Sequence, residues 1–112
     1  MANPVVYFEI IGKDANRLYD FYGDNFGWTL PTGDGPVNYR HVEGATLPGG
    51  IGEEPDGDSR VTVYVQVPDL QAALDRAGHL GATTLLPLSD VGNVSIALFS
   101  DPAGNVVGLL QG

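Results

Sequence analysis

Val5-Val6-Tyr7-Phe8-Glu9-Ile10-Ile11 reads as a strand, apolar but for Glu9 and rich in β-branched and aromatic residues. Because side chains alternate along a strand, Val6, Phe8 and Ile10 share one wholly apolar face and Val5, Tyr7, Glu9 and Ile11 the other. After Gly12-Lys13 the period changes. Leu18, Tyr22 and Phe26, with Ala15 and Phe21 beside them, recur at helical spacing, so a helix capped by Asp14 can lay an apolar stripe over the first of those faces. Gly27 suits a left-handed C-cap, and Trp28-Thr29-Leu30 starts a strand that Pro31 ends. Thr32 to Pro36 reads as a turn and Val37 to Glu43 as the next strand. Gly49-Gly50-Ile51-Gly52 predicts a short strand or bulge where only small residues fit, followed by a solvated acidic linker from Glu53 to Ser59.

The same order returns after the linker. Val61, Val63, Val65 and Val67 form an aliphatic strand face, leaving Thr62, Tyr64 and Gln66 on the other. Asp69 caps a helix with Leu70, Ala73, Leu74, Ala77 and Leu80 on one side, and His79 in the last turn suits the negative end of the helix dipole. Thr83 to Leu88 predicts a strand, and Asn93 to Phe99 and Val106 to Gln111 a hairpin closed by Asp101-Pro102-Ala103-Gly104-Asn105. Superposing Asp14 on Asp69 brings Tyr7 onto Thr62, Glu9 onto Tyr64 and Ile11 onto Gln66. An internal duplication follows. The expected fold is α+β, with two βαβββ modules, about residues 4–53 and about residues 60–111, in one compact domain. Their strands are expected to form a curved, cup-like mixed sheet with the helices outside. Tyr7, Glu9, Thr62, Tyr64 and Gln66 would line the cup, where a small ligand binds.

At 112 residues, 43% of them hydrophobic, the chain holds a single core. Fourteen acidic residues against five basic ones give a net charge of −9, which opposes nucleic acid and anionic membrane and favours a cationic ligand. Solubility alone is the plain alternative. Without cysteine there are no disulfides and no thiolate metal sites. No apolar run reaches the roughly 18 residues of a membrane span, and a cytoplasmic location is expected. The acidic residues Glu53, Glu54, Asp56 and Asp58 lack the spacing of a helix-flanked calcium loop. His41, between Arg40 and Val42, reads as an ordinary rim residue.

Three features together resemble the vicinal oxygen chelate superfamily of glyoxalases, bleomycin resistance proteins and extradiol dioxygenases. They are the opening strand that leads to Asp14, the Phe21-Tyr22 pair followed by Phe26-Gly27-Trp28, and the Asp101-Pro102-Ala103-Gly104-Asn105 turn inside the last hairpin. The resemblance covers nearly the whole chain. It implies metal-ligand positions on the first and last strands of each half. Here these are Tyr7, Thr62, Gly108 and a residue within Gly49 to Gly52, none of which supplies an imidazole or carboxylate. A small-molecule binding protein without cofactor is therefore expected, taking an aromatic or cationic compound and pairing as a homodimer. Its candidate ligand-binding residues are Tyr7, Glu9, Tyr39, His41, Thr62, Tyr64, Gln66 and Gly108. The alternative implied by the resemblance is a lyase, isomerase or dioxygenase whose displaced site, built from Glu9, His41 or Tyr64, holds a divalent metal ion.

Overall fold

The computed structural model describes residues 2–33 and 35–112; Asp34, inside the predicted turn from Thr32 to Pro36, lies outside the described residues. The fold is α+β. The chain divides into two compact units, one of Tyr7–Val61 and one made of the N-terminal residues to Val6 with Thr62–Gly112.

The first unit carries β1 (Val5–Gly12), α1 (Ala15–Phe26), β2 (Tyr39–Val42) and β3 (Gly49–Glu53). β3 runs parallel to β1 and antiparallel to β2. The strand expected at Trp28-Thr29-Leu30 is reduced to one bridge between Thr29 and Glu43, and β2 begins two residues later than expected, leaving Val37 70% exposed. Asp14 caps α1 by accepting from the Arg17 N–H at 3.4 Å, and Gly27 closes it at φ 71°, in the left-handed region open to glycine.

The buried stripe of α1 is turned from the expected one. Ala15 and Tyr19 face Ile10, Val42 and Ile51, while Phe21 and Phe26 are each 57% exposed. Tyr19 can be buried because its hydroxyl donates to Asn38 Oδ1 at 2.8 Å and its ring lies 4.3 Å under the Arg40 guanidinium. Phe21 and Phe26 pack instead around Tyr22, which stacks on Trp28 with ring centroids 5.6 Å apart. Phe8, Leu18 and Tyr22 support the core from its margin, as partly buried residues.

The second unit follows the order strand, helix, three strands: β4 (Arg60–Gln66), α2 (Leu70–His79), β5 (Thr83–Val91), β6 (Val94–Ser100) and β7 (Val106–Gln111). The strand order is β4-β7-β6-β5, with β4 parallel to β7 and the other pairs antiparallel. Val67, Leu70, Leu74, Ala97 and Leu109 form its core, with Val65 beside them. Val63, expected there, is 39% exposed. β5 runs past the expected end at Leu88 to Val91; Pro87 is tolerated since β5 is an edge strand with register shifts on either side of Leu86. In the β6–β7 turn Asp101 accepts from the Asn105 side chain at 3.0 Å and from the N–H groups of Asn105 at 2.9 Å and Ala103 at 2.8 Å, and these bonds, the side-chain one first, hold its carboxyl below the usual range.

The duplication extends to how each helix begins. Asp69 caps α2 by accepting from the Ala72 N–H at 3.1 Å, as Asp14 does for α1. Glu53 Oε1, at the end of β3, accepts from the Ala15 N–H at 3.0 Å, and Gln111 Oε1, at the end of β7, accepts from the Leu70 N–H at 2.7 Å. Glu53 therefore belongs to the fold and not to the acidic linker. In the linker itself Glu54 pairs with Arg60. His79 is the last residue of α2, exposed, where the helix dipole favours a cation.

Candidate small-molecule site

Glu53 and Gln111 being equivalent, the residue three before each is equivalent too, which matches Gly50 with Gly108. Strand register agrees: Gly50 stands beside Glu9 and Gly108 beside Tyr64, and both of those lie five residues before a capping aspartate. The first-half counterpart of Gly108, expected within Gly49 to Gly52, is thus Gly50.

Side chains on one face of β1 and β2 converge above that glycine. His41 is paired with Gly50 and Tyr39 with Gly52, so both lie on the same face as Glu9 and Tyr7, opposite Phe8 and Ile10. The Tyr39 ring lies along β3: a Cβ on Gly50 would meet the ring at Cε1, 2.5 Å away, and one on Gly52 would meet Cε2 at 3.1 Å. Two side-chain-free positions let the phenol lie down and bring its hydroxyl between β1 partners. It donates to Glu9 Oε2 at 2.9 Å and is bonded to the Tyr7 hydroxyl at 2.7 Å. The Tyr7 hydroxyl in turn lies 3.2 Å from His41 Nδ1. The His41 ring meets the Tyr7 and Tyr39 rings edge-on, with centroids 6.4 and 5.6 Å apart.

Burial, followed for Tyr39 by the charge of Glu9, raises the pKa of both phenols above its ordinary value, with the Tyr39 bond partly offsetting this for Tyr7. Both remain protonated at neutral pH. Four of the eight expected site residues, Tyr7, Glu9, Tyr39 and His41, are therefore joined in one hydrogen-bonded chain. Its ends are a carboxylate and an imidazole.

The second unit holds the other four differently. Tyr64, 4% exposed, lies across Gly108, where a Cβ would come 2.8 Å from Tyr64 Cγ and closer still to the ring edge. Thr62 is 1% exposed, and its Oγ1 has no hydrogen-bond partner among the described residues. Neither offers a free surface to a ligand as it stands. Gln66 donates to the Gly112 carbonyl at 3.4 Å and borders an open cleft of about 670 Å³ that Pro4, Pro68 and Gln111 also line. Gly50 and Gly52 were not among the expected site residues, although the Gly-Gly-Ile-Gly run was the signal that an aromatic side chain could lie there.

The residues do not fit the divalent metal site of the superfamily's enzymes. Among the described residues no three His, Cys, Asp or Glu side chains come together, and Glu9 and His41 are held at opposite ends of a chain with two phenols between them.

A family model described as a glyoxalase-like domain matches residues 7–110. The chain belongs to the glyoxalase-like domain family. Among curated proteins, "Putative glyoxylase CFP32" of Mycobacterium bovis and of Mycobacterium tuberculosis are each 28% identical over 111 residues, covering 88% of this chain. The chain spans only 41% of the length of those relatives. Among solved structures, a glyoxalase/bleomycin resistance protein/dioxygenase superfamily member from Vibrio splendidus is 16% identical, with a TM-score of 0.71 over 99% of this chain and 100% of that one. Methylmalonyl-CoA epimerase from Mycobacterium tuberculosis is also 16% identical, with a TM-score of 0.64 over 96% of this chain and 86% of that one. These two likenesses establish that the glyoxalase-like fold is shared. Among the described residues no helix is long and apolar enough to cross a membrane.

Proposed function

We propose that this glyoxalase-like protein binds a small aromatic or cationic compound without a metal ion, in the cytoplasm and as a homodimer. One observation carries the reading. At both places where the family's metal enzymes take a ligand from the last strand, Gly50 and Gly108, a tyrosine ring fills the space a side chain would need. The array that remains is a carboxylate, two phenols and an imidazole, which recognises polar groups by hydrogen bonds and organic cations by charge and aromatic surface.

The test is metal analysis and ligand screening on the purified protein. Less than stoichiometric zinc, nickel and iron, with the thermal shift given by an aromatic amine unchanged by chelator, is the expected result. Metal held at one per chain, or binding abolished by chelator, overturns it. Light scattering checks the dimer.

A second reading, a lyase, isomerase or dioxygenase, is favoured by one feature. Glu9 and His41 terminate the same hydrogen-bonded chain, an arrangement suited to moving protons. Turnover of a hemithioacetal or a catechol, lost in Glu9→Gln, would select it.

A further inference from the structure

The direction of the hydrogen bonds in the Glu9–Tyr39–Tyr7–His41 chain follows from counting protons. A carboxylate only accepts, so the bond at Glu9 uses the single hydroxyl proton of Tyr39. The bond between the two phenols must then use the single proton of Tyr7. Nothing is left on Tyr7 to donate to His41, so the third bond is made only if Nδ1 carries the proton. Burial and the neighbouring Glu9 charge keep both phenols in the protonated state that this count requires.

We propose that this one-way chain locks His41 in its Nδ1–H tautomer, presents Nε2 as an acceptor at the end of the chain opposite the Glu9 carboxylate, and makes the site a receptor for a hydrogen-bond-donating organic ammonium ion. His41 is exposed and so can present that nitrogen to a ligand. With both ends of the chain accepting, a ligand that also only accepts, such as a carboxylate, meets lone pairs and negative charge. A primary ammonium group brings three donors and the complementary charge. The ligand class rests on the binding reading above, whereas the tautomer depends on no ligand and no metal.

The tautomer is read by long-range proton–nitrogen correlation spectra of the imidazoles at about pH 8, above the usual imidazole range. The chain has two histidines, and His79→Gln assigns the resonances. His41 is expected as Nδ1–H. Tyr7→Phe removes the oxygen that accepts from Nδ1, so His41 should revert to the Nε2–H form that an unbonded imidazole prefers. Nε2–H in the unmodified protein, or no switch in Tyr7→Phe with the fold intact by its amide spectrum, overturns the tautomer.

The ligand class is read by titrating the protein with benzylammonium chloride and with sodium benzoate while following the His41 resonances. Benzylammonium should bind at least about tenfold more tightly, a difference of about 1.4 kcal/mol. Glu9→Gln should remove most of that preference, which separates a local site from general attraction to an acidic protein. Equal binding of the two probes, absence of benzylammonium binding, or a preference unchanged in Glu9→Gln overturns the ligand class. If chelator abolishes benzylammonium binding while His41 remains Nδ1–H, the metal-free reading fails and the tautomer stands.

Discussion

The Tyr64 ring lies across Gly108, so close that a single methyl group at position 108 would overlap it. Tyr64 is 4% exposed and has no room to swing out. Gly108→Ala should therefore cost about 1–3 kcal/mol in urea unfolding, as overpacking of a filled site does. Tyr64→Ala in the same chain should relieve part of that cost, giving a double-mutant cycle that is less than additive. At Gly50 the overlying ring, Tyr39, is only half-buried and can move. Gly50→Ala is expected to cost less stability there, but to break the bonds from Tyr39 to Glu9 and Tyr7.

Helix starts give a second check, because each is held by two acceptors from different parts of its unit. Asp14→Ala and Asp69→Ala should each cost about 0.5–2 kcal/mol through loss of the N-cap. Glu53→Gln keeps the acceptor to the Ala15 N–H but removes a charge at the positive end of α1. It should cost about 0.3–1 kcal/mol at low ionic strength, and the loss should shrink as salt is added. A cost that ignores salt would mean that the charge plays no part.

The core of the second unit is tested at Leu74, which is 5% exposed and packs with Val67, Leu70, Ala97 and Leu109. Leu74→Ala should cost about 2–5 kcal/mol. Val63→Ala, at an exposed position of β4, should cost clearly less in the monomeric protein. Equal costs would mean that Val63 is covered in solution.

Tyr7, Tyr19 and Tyr39 all have pKa values raised above the ordinary 10.0, chiefly by burial. A phenol of this kind holds its proton more tightly in the folded than in the unfolded chain. Its contribution to stability is complete below the unfolded value and is lost as pH rises through the folded one. Stability should therefore be insensitive to these groups at neutral pH and fall above about pH 10. Phenolate absorbance should show these three tyrosines ionising only well above the ordinary value or together with unfolding. Tyr39→Phe should reduce the slope of stability against pH in that range.

Much of this was legible in the sequence because period and capping are local signals. The aspartates that open both helices, the inward faces of β1 and the Asp101 turn followed from spacing and turn chemistry alone. What sequence did not reveal depends on a partner distant in the chain. Tyr19 lies outside the expected stripe and is buried because Asn38 and Arg40 arrive to satisfy it, and Phe26 reads as core until the helix is seen to turn Tyr19 inward. Val63 fits an aliphatic stripe, but a stripe in the sequence does not say which of its members is covered, and Val63 is 39% exposed. In the site, Tyr7 and Glu9 were placed by alternation, whereas their bonds to Tyr39 require the register that sets β2 and β3 beside β1. Glu53 was hidden for a similar reason, since its role as a cap is visible only when the end of β3 reaches the start of α1.

Thr62 offers the sharpest separation of stability from binding. Its hydroxyl is buried without a hydrogen-bond partner among the described residues. A buried hydroxyl left unpaired costs about 1–3 kcal/mol relative to one that is satisfied. Valine has the same branching, suits a strand equally well and has nothing to desolvate. Thr62→Val is therefore expected to raise the urea midpoint, by up to the same 1–3 kcal/mol in free energy. Thr62 belongs to the other unit from the Glu9–Tyr39–Tyr7–His41 chain, so amine binding to that chain is expected to stay as it is while the protein becomes more stable. Should Thr62→Val lower stability instead, the hydroxyl has a partner in solution, such as an ordered water, and its burial belongs to the fold rather than to the site.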